Sequence, residues 1–284
     1  MVPEPIARLE RLAERHDVAF AGGSVRWRRF GAGPPLVLVH GGHGSWMHWA
    51  RNIDALSVRH TVWAVDLPGY GESDRPVRPD LDSLVDALVA TLDGCVGAGT
   101  EVAIAGFSFG GLVAAHAAAR RGSEGRGKVS RLALLGTAGH GGVRRPRGEP
   151  MRWKDAAGAE LAERMRHNLA MQMIHDAERI DDLAVFIHTE SCRRARFHSR
   201  PFSRGDSLFA QLDRFEGETL LLWGEHDVTG DPAALAHLLT DGHPRRHARI
   251  VVDTGHWVQY EAAEAVDRLL LDWLDGDADS PRLA

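Results

Sequence analysis

The stretch from Glu101 to Ala118, EVAIAGFSFGGLVAAHAA, constrains the fold more than any other part of the chain, because a short apolar run meets a serine framed by glycines and then a helical pattern. Val102, Ala103, Ile104 and Ala105 read as a buried strand, and Leu112, Val113, His116 and Ala117 recur at helical spacing. Between them, Gly106-Phe107-Ser108-Phe109-Gly110 fits the G-x-S-x-G pattern of a sharp strand-to-helix turn that lifts a serine hydroxyl clear of a sheet. Glycine is needed on either side, since a Cβ there would collide with the neighbouring strand or helix.

The same alternation runs through the chain. Residues 34–39 and 61–65 are continuous apolar runs of the kind shown by parallel strands buried on both faces, and 132–136, 219–223 and 248–252 repeat the signal. Helical periodicity separates them, with apolar stripes over 81–92, 232–239 and 262–274. A first amphipathic helix is expected around Ile6, Leu9 and Leu12, followed by two short strands that turn at Gly22-Gly23, and the tail after Gly276 is expected to be mobile. Strands alternating with helices predict an α/β fold built on a mostly parallel twisted sheet with helices on both faces. From about residue 140 the character changes: a basic connector, Gly141-Gly142-Val143-Arg144-Arg145-Pro146-Arg147, leads into a helical stretch that runs to about 206. That stretch is too long and too helical for a loop, so a core of residues 1–139 and 207–284 is expected to carry a helical cap of 140–206 over the carboxyl end of the sheet.

Composition narrows the partners. The net charge of -5, with no long block of one sign, argues against a nucleic-acid partner, because phosphate binding needs a concentrated basic surface. The N-terminal residues carry charges throughout, and no apolar run approaches the length of a membrane span, so no membrane partner is expected. Cys95 and Cys192 lie far apart and suit reduced thiols in a cytoplasm. The 16 histidines are scattered without ligand spacing, which argues against a metal site. A small-molecule substrate is expected, and a homo-oligomer stays open.

Three residues that follow strand ends carry the candidate chemistry: Ser108, Asp227 in W-G-E-H-D and His256 in D-T-G-H-W. A hydroxyl is a weak nucleophile until an imidazole can take its proton, and the imidazole needs a carboxylate to fix its tautomer. Glu225, Asp231 and Asp253 are rival acids; Asp227 is preferred because its tight turn sets it a few residues beyond the strand, whereas Asp253 would still be finishing its own. The loop His40-Gly41-Gly42-His43-Gly44-Ser45-Trp46 leaves backbone N–H groups free for a developing oxyanion, assigned to Gly42, with His43 as the near alternative, and to Phe109. Asp66, in the following D-L-P-G-Y-G-E-S loop, reads as a brace and not a catalyst. Trp46, Phe107, Trp257 and Phe186 suggest an apolar or aromatic pocket wall.

Over nearly its whole length the sequence resembles the α/β-hydrolase superfamily, with HGGHGSW, DLPGYGES, GFSFGG, WGEHD and GHWVQYE in order. Within it, these motifs look most like the carbon–carbon bond hydrolases that cleave meta-cleavage (ring-fission) products of aromatic catabolism. The resemblance implies a serine hydrolase that works through an acyl-enzyme, without a cofactor, on a small, largely apolar or aromatic carbonyl compound. Carboxylesterase activity is the alternative, and a ligand receptor on a hydrolase shell a more remote one. Two departures stand out. Phe107 occupies a position where those hydrolases commonly carry asparagine. They also set a cap arginine against the substrate's carboxylate. Here Arg194 continues the inner face formed by Leu183, Phe186 and Ile187, but Glu190 lies four residues before it, so an intrahelical pair is expected in preference to a free guanidinium. His43, Phe107, Trp257 and Arg194 are therefore the expected substrate-facing residues.

Overall fold

The computed structural model describes residues 1–276 apart from Arg126 and Pro146, so the tail after Gly276 lies outside the described residues. Eight strands among them form one sheet: β1 (Glu14–Phe20), β2 (Gly23–Phe30), β3 (Pro35–Val39), β4 (Thr61–Val65), β5 (Val102–Phe107), β6 (Val129–Leu135), β7 (Glu218–Gly224) and β8 (Arg246–Val251). Their order is β1-β2-β4-β3-β5-β6-β7-β8. The first hairpin and the β2–β4 pair are antiparallel, and every pair from β4 to β8 is parallel.

Side-chain alternation along the strands explains why both faces are covered. Leu36, Leu38, Ala103, Ala105 and Phe107 join one apolar cluster, while Val37, Val39, Val102, Ile104 and Phe109 join the other. A continuous apolar run is thus two interleaved rows, each needing its own layer of helices. The helices Leu81–Val96 and Phe109–Ser123 cover the second face, and Ala263–Leu274 packs into the first.

From β3 the chain steps to β4 on one side and to β5 on the other, so β3 and β5 flank a topological switch point where loops diverge and leave a crevice. Val39 is registered against Gly106 there, which brings the glycine loop after β3 beside Ser108 after β5.

Residues between β6 and β7 form the helices Gly158–Gln172, Asp182–Arg194, Arg200–Ser203 and Leu208–Arg214, with a short 3-10 turn at Ala177–Arg179. Leu161, Met165, Leu169, Ala184 and Ile187 share the cluster that holds Trp46, Trp49 and Trp257, so the first two of these helices have no separate core. Asp181 caps Asp182–Arg194 by accepting from Ala184 N and also docks it, accepting from Tyr260 Oη at 2.6 Å and from Arg51 at 2.5 Å. The helical run continues past residue 206: Leu208 and Leu212 are buried in the second cluster, against the helix that begins at Phe109.

Candidate active site

Ser108 sits at φ 53° and ψ -119°, a left-handed conformation that few side chains adopt. Its neighbours hold it there. Ser108 N donates to Leu135 O at 2.8 Å, and Ser108 O accepts from Gly111 N at 2.9 Å and Ala138 N at 3.0 Å. A Cβ on Gly106 would lie 2.5 Å from Gly110 O, and one on Gly110 would collide with His40 O, so both glycines are steric requirements of the turn.

His256 Nε2 lies 2.9 Å from Ser108 Oγ, and Nδ1 lies 2.8 Å from Asp227 Oδ2. Asp227 Oδ1 accepts from Thr229 N and Thr229 Oγ1, both at 2.7 Å. Burial pushes the Asp227 carboxyl up, but the imidazole and the Thr229 donors outweigh it and hold the group below its ordinary value. It is the ionised form that can fix the His256 tautomer. Of the rival acids, Glu225 accepts from Asp253 N, Asp231 caps the helix Pro232–Thr240, and Asp253 is exposed.

Beside Ser108, the N–H groups of Gly42 and His43 have no backbone or side-chain acceptor among the described residues, and Phe109 N–H opens a helix, where no intrahelical acceptor exists. His43 adopts φ 54° at the exposed tip of the loop. The loop is braced by His48, whose Nδ1 accepts from Gly41 N at 3.3 Å. That bond puts the proton of a neutral ring on Nε2, and burial together with the nearby His40, His188 and His256 keeps the His48 pKa well below its ordinary value.

Several expected pocket residues are support. Trp46, Phe107 and Trp257 are 2%, 1% and 0% exposed, so they offer no surface to a ligand. The Phe107 ring packs 4.9 Å from His256 and 5.4 Å from His48, and Trp257 Nε1 donates to His48 O at 3.0 Å. The expected Glu190–Arg194 pair is corrected as well. Glu190 accepts from Arg193 at 2.9 Å, whereas Arg194, the last residue of its helix, reaches out to Glu72 at 3.4 Å on the loop after β4. A side chain at a helix end is free to leave the i, i+4 row for a partner on another element.

Three further contributors had little signal in the sequence. Ser199 lies over Gly42, where an added Cβ would come within 2.5 Å of its Oγ. His188, pushed down to about 4 by burial and by His43, is among the imidazoles felt by His48. Glu261 ties the His256 loop to the helical insertion, accepting from Gly255 N at 2.7 Å, His175 N at 3.0 Å and Asp176 N at 2.9 Å. Its place in G-H-W-V-Q-Y-E was visible, but its partners were not. One group among the described residues, Glu225, His226 and Asp253, brings possible metal-ligand atoms within 4.8 Å of one another; both carboxylates are exposed.

Comparison with known proteins gives this geometry a context. The model of the "Alpha/beta hydrolase family" matches residues 36–269. The chain is similar to the dihydrolipoyllysine-residue acetyltransferase component of the acetoin cleaving system of Pseudomonas putida, at 31% identity over 89% of this chain and 67% of that protein. It is also similar to 2-hydroxymuconate semialdehyde hydrolase of Pseudomonas sp. (strain CF600), at 28% identity over 94% of this chain and 96% of that protein. Some other curated relatives are matched over only 34% of their own length or less. Among solved structures, carboxylesterase CesB of Bacillus subtilis superposes with a TM-score of 0.76 at 20% identity, over 96% of this chain and 95% of that one.

Proposed function

Because the chain belongs to the alpha/beta hydrolase family, we propose that it is a serine hydrolase in which Ser108, His256 and Asp227 form the catalytic triad. The observation that carries this reading is the unbroken relay from Ser108 Oγ through His256, at 2.9 Å and 2.8 Å, to a buried carboxylate. His256 takes the Ser108 proton as Oγ attacks a substrate carbonyl, and the oxyanion accepts from the N–H groups of Gly42 and Phe109. His256 then protonates the leaving carbon or oxygen, which departs and leaves an acyl-enzyme. Water, deprotonated by His256, attacks the acyl carbon, and the acid leaves as Ser108 recovers its proton. Residues 140–206 act as the cap, with Ser199 closing over the oxyanion loop.

The first reading of the scissile bond is carbon–carbon, supported by the full-length similarity to 2-hydroxymuconate semialdehyde hydrolase. A second reading, ester hydrolysis, is favoured by one observation: Arg194 is tied to Glu72, which removes the cap guanidinium expected to hold a dienoate carboxylate. Turnover of p-nitrophenyl acetate against cleavage of a 2-hydroxy-6-oxo-dienoate separates the two. A fluorophosphonate probe tests the nucleophile: it labels the native enzyme and leaves Ser108→Ala unlabelled, and equal labelling of that variant would move the nucleophile elsewhere.

A further inference from the structure

Between the connector after β6 and the loop after β7 lies a cleft of about 290 Å³ lined by His140, Arg144, Ser203, Arg204 and Thr229, among others. Its charges are unusual for this chain. Acidic residues outnumber basic ones, 39 to 34, and the adjacent Arg145 has Asp231 at 3.8 Å. Yet neither Arg144 nor Arg204 has a carboxylate oxygen within 4.0 Å among the described residues. Both arginines reach the surface, and partial desolvation of Arg144 in the cleft, with Arg204 and Arg200 nearby, pushes its pKa down, opposed by Asp227. That carboxylate is fully committed to Thr229 and His256 and cannot serve as their counter-ion.

His140 adds an independent observation. It is 7% exposed, and its Nδ1 accepts from Gly142 N at 2.9 Å, which puts the proton of the neutral ring on Nε2. Burial lowers its pKa, so the ring stays neutral. The His140 ring lines the cleft beside Gly142, with its Nε2 edge towards Gly230, and that Nε2–H has no acceptor among the described residues. The two hydroxyls there are already spent: Thr229 Oγ1 donates to Asp227 and Ser203 Oγ donates to Ser199 O. Two arginines and one histidine with an idle N–H donor therefore line the same cleft, and none of the three donors has an acceptor oxygen among the described residues.

We propose that this cleft is an oxyanion-binding site, taking a phosphate or carboxylate group between Arg144 and Arg204 with His140 Nε2–H as a third donor. Forked guanidinium donors suit a group with two or three acceptor oxygens, and an anion relieves the repulsion between them. The volume lies at the lower end of the range for ligand pockets, so the site admits a small anion or the charged end of a longer molecule. Thr229 lies in its wall and holds the triad acid, which sets the bound charge close to the catalytic relay.

The site is tested with inorganic phosphate, titrated calorimetrically at constant ionic strength against chloride. The native protein binds it; Arg144→Ala and Arg204→Ala each weaken binding about tenfold, and the double variant abolishes it. Arg144→Lys, which keeps charge but not the fork, falls between. Arg145→Ala, whose guanidinium belongs to Asp231, binds as the native protein does. No binding by the native protein, or equal binding by the double variant, overturns the site. A kinetic arm, which rests on the proposed hydrolase reading, identifies the source of the anion. If KM for the glutarate half-ester of p-nitrophenol rises about tenfold in the double variant while that for the neutral butyrate ester holds, the anion is the substrate's own end. If both esters are unaffected while phosphate binding is lost, the anion is a separate small molecule. Failure of both esters in the native enzyme would count against the hydrolase reading and leave the phosphate result standing.

Discussion

The ends of β4 and β7 carry the same side chain in nearly the same burial and give it different partners. Asp66 is 0% exposed and Asp227 1%, and each accepts three hydrogen bonds. Asp66 takes them from Trp46 N, Glu72 N and Arg28 Nη1; Asp227 takes them from Thr229 twice and from His256. The difference lies in the cation. A guanidinium keeps its proton at any working pH, so Asp66 is locked into an ion pair that knits β2 to the loops after β3 and β4. An imidazole can gain and lose its proton, so in the proposed triad Asp227 feels a charge that appears only when Ser108 surrenders its proton. On the proposed reading, a buried carboxylate becomes a brace or a catalyst according to whether its partner can change charge.

The largest test of that contrast is Asp227→Asn. The amide keeps the shape and part of the Thr229 bonding but favours the wrong His256 tautomer. We expect kcat to fall about 10⁴-fold, equivalent to about 5.5 kcal/mol of barrier, with thermal stability nearly unchanged. Asp66→Ala should do the reverse. It removes one partner of a buried ion pair and orphans two backbone donors, though Glu10 and Glu72 still reach Arg28 at 2.8 Å and 2.9 Å. A loss of about 3 kcal/mol is expected in denaturant unfolding, while the molecules that stay folded keep kcat within about tenfold. If Asp66→Ala matched Asp227→Asn in its effect on kcat, the division between brace and catalyst would collapse.

How much of this could be read in advance follows the range of the interactions. Ser108 and the strand before it were legible because their signal is local: the glycines answer to atoms a few residues away, and the apolar alternation is set by the sheet itself. Asp227 and His256 were legible because strand ends of one parallel sheet share an edge, so three separate turns had to converge. Ser199, His48 and His188 were not, since each matters through a contact whose partner lies on another element. Ser199 meets Gly42 only because the insertion folds back over the β3 loop. Arg194 fails for the same reason, since its helix neighbour Glu190 was visible and Glu72, 122 residues away, was not. Trp46, Phe107 and Trp257 were misplaced because pocket walls and cores draw on the same side chains, and only burial separates them.

A third buried carboxylate extends the comparison to a case with no paired cation among the described residues. Asp267, 7% exposed, has Asn52 Nδ2 at 2.8 Å as its hydrogen-bond donor, and that donor is shared with Gln259 O. Burial pushes its pKa up from 3.8 to about 7, Glu264 adds to the rise, and the Asn52 bond opposes it. The raised folded-state value fixes the sign. Below about 4 the group is neutral in folded and unfolded chains alike and costs nothing. As pH rises towards 7 the unfolded chain ionises while the folded one resists, so stability is lost across that window and levels off above it. A rise from 3.8 to about 7 corresponds to at most about 4 kcal/mol, and about 2 kcal/mol is expected once the site adjusts around the charge. Asp267→Asn keeps an acceptor for Asn52 and cannot ionise. It should therefore match the native protein in urea unfolding at pH 4, exceed it by about 2 kcal/mol at pH 8, and flatten the profile between. A variant less stable than the native protein at pH 8 would mean that the Asp267 carboxylate is charged and partnered in the fold, and that cation identity is not what separates the three sites.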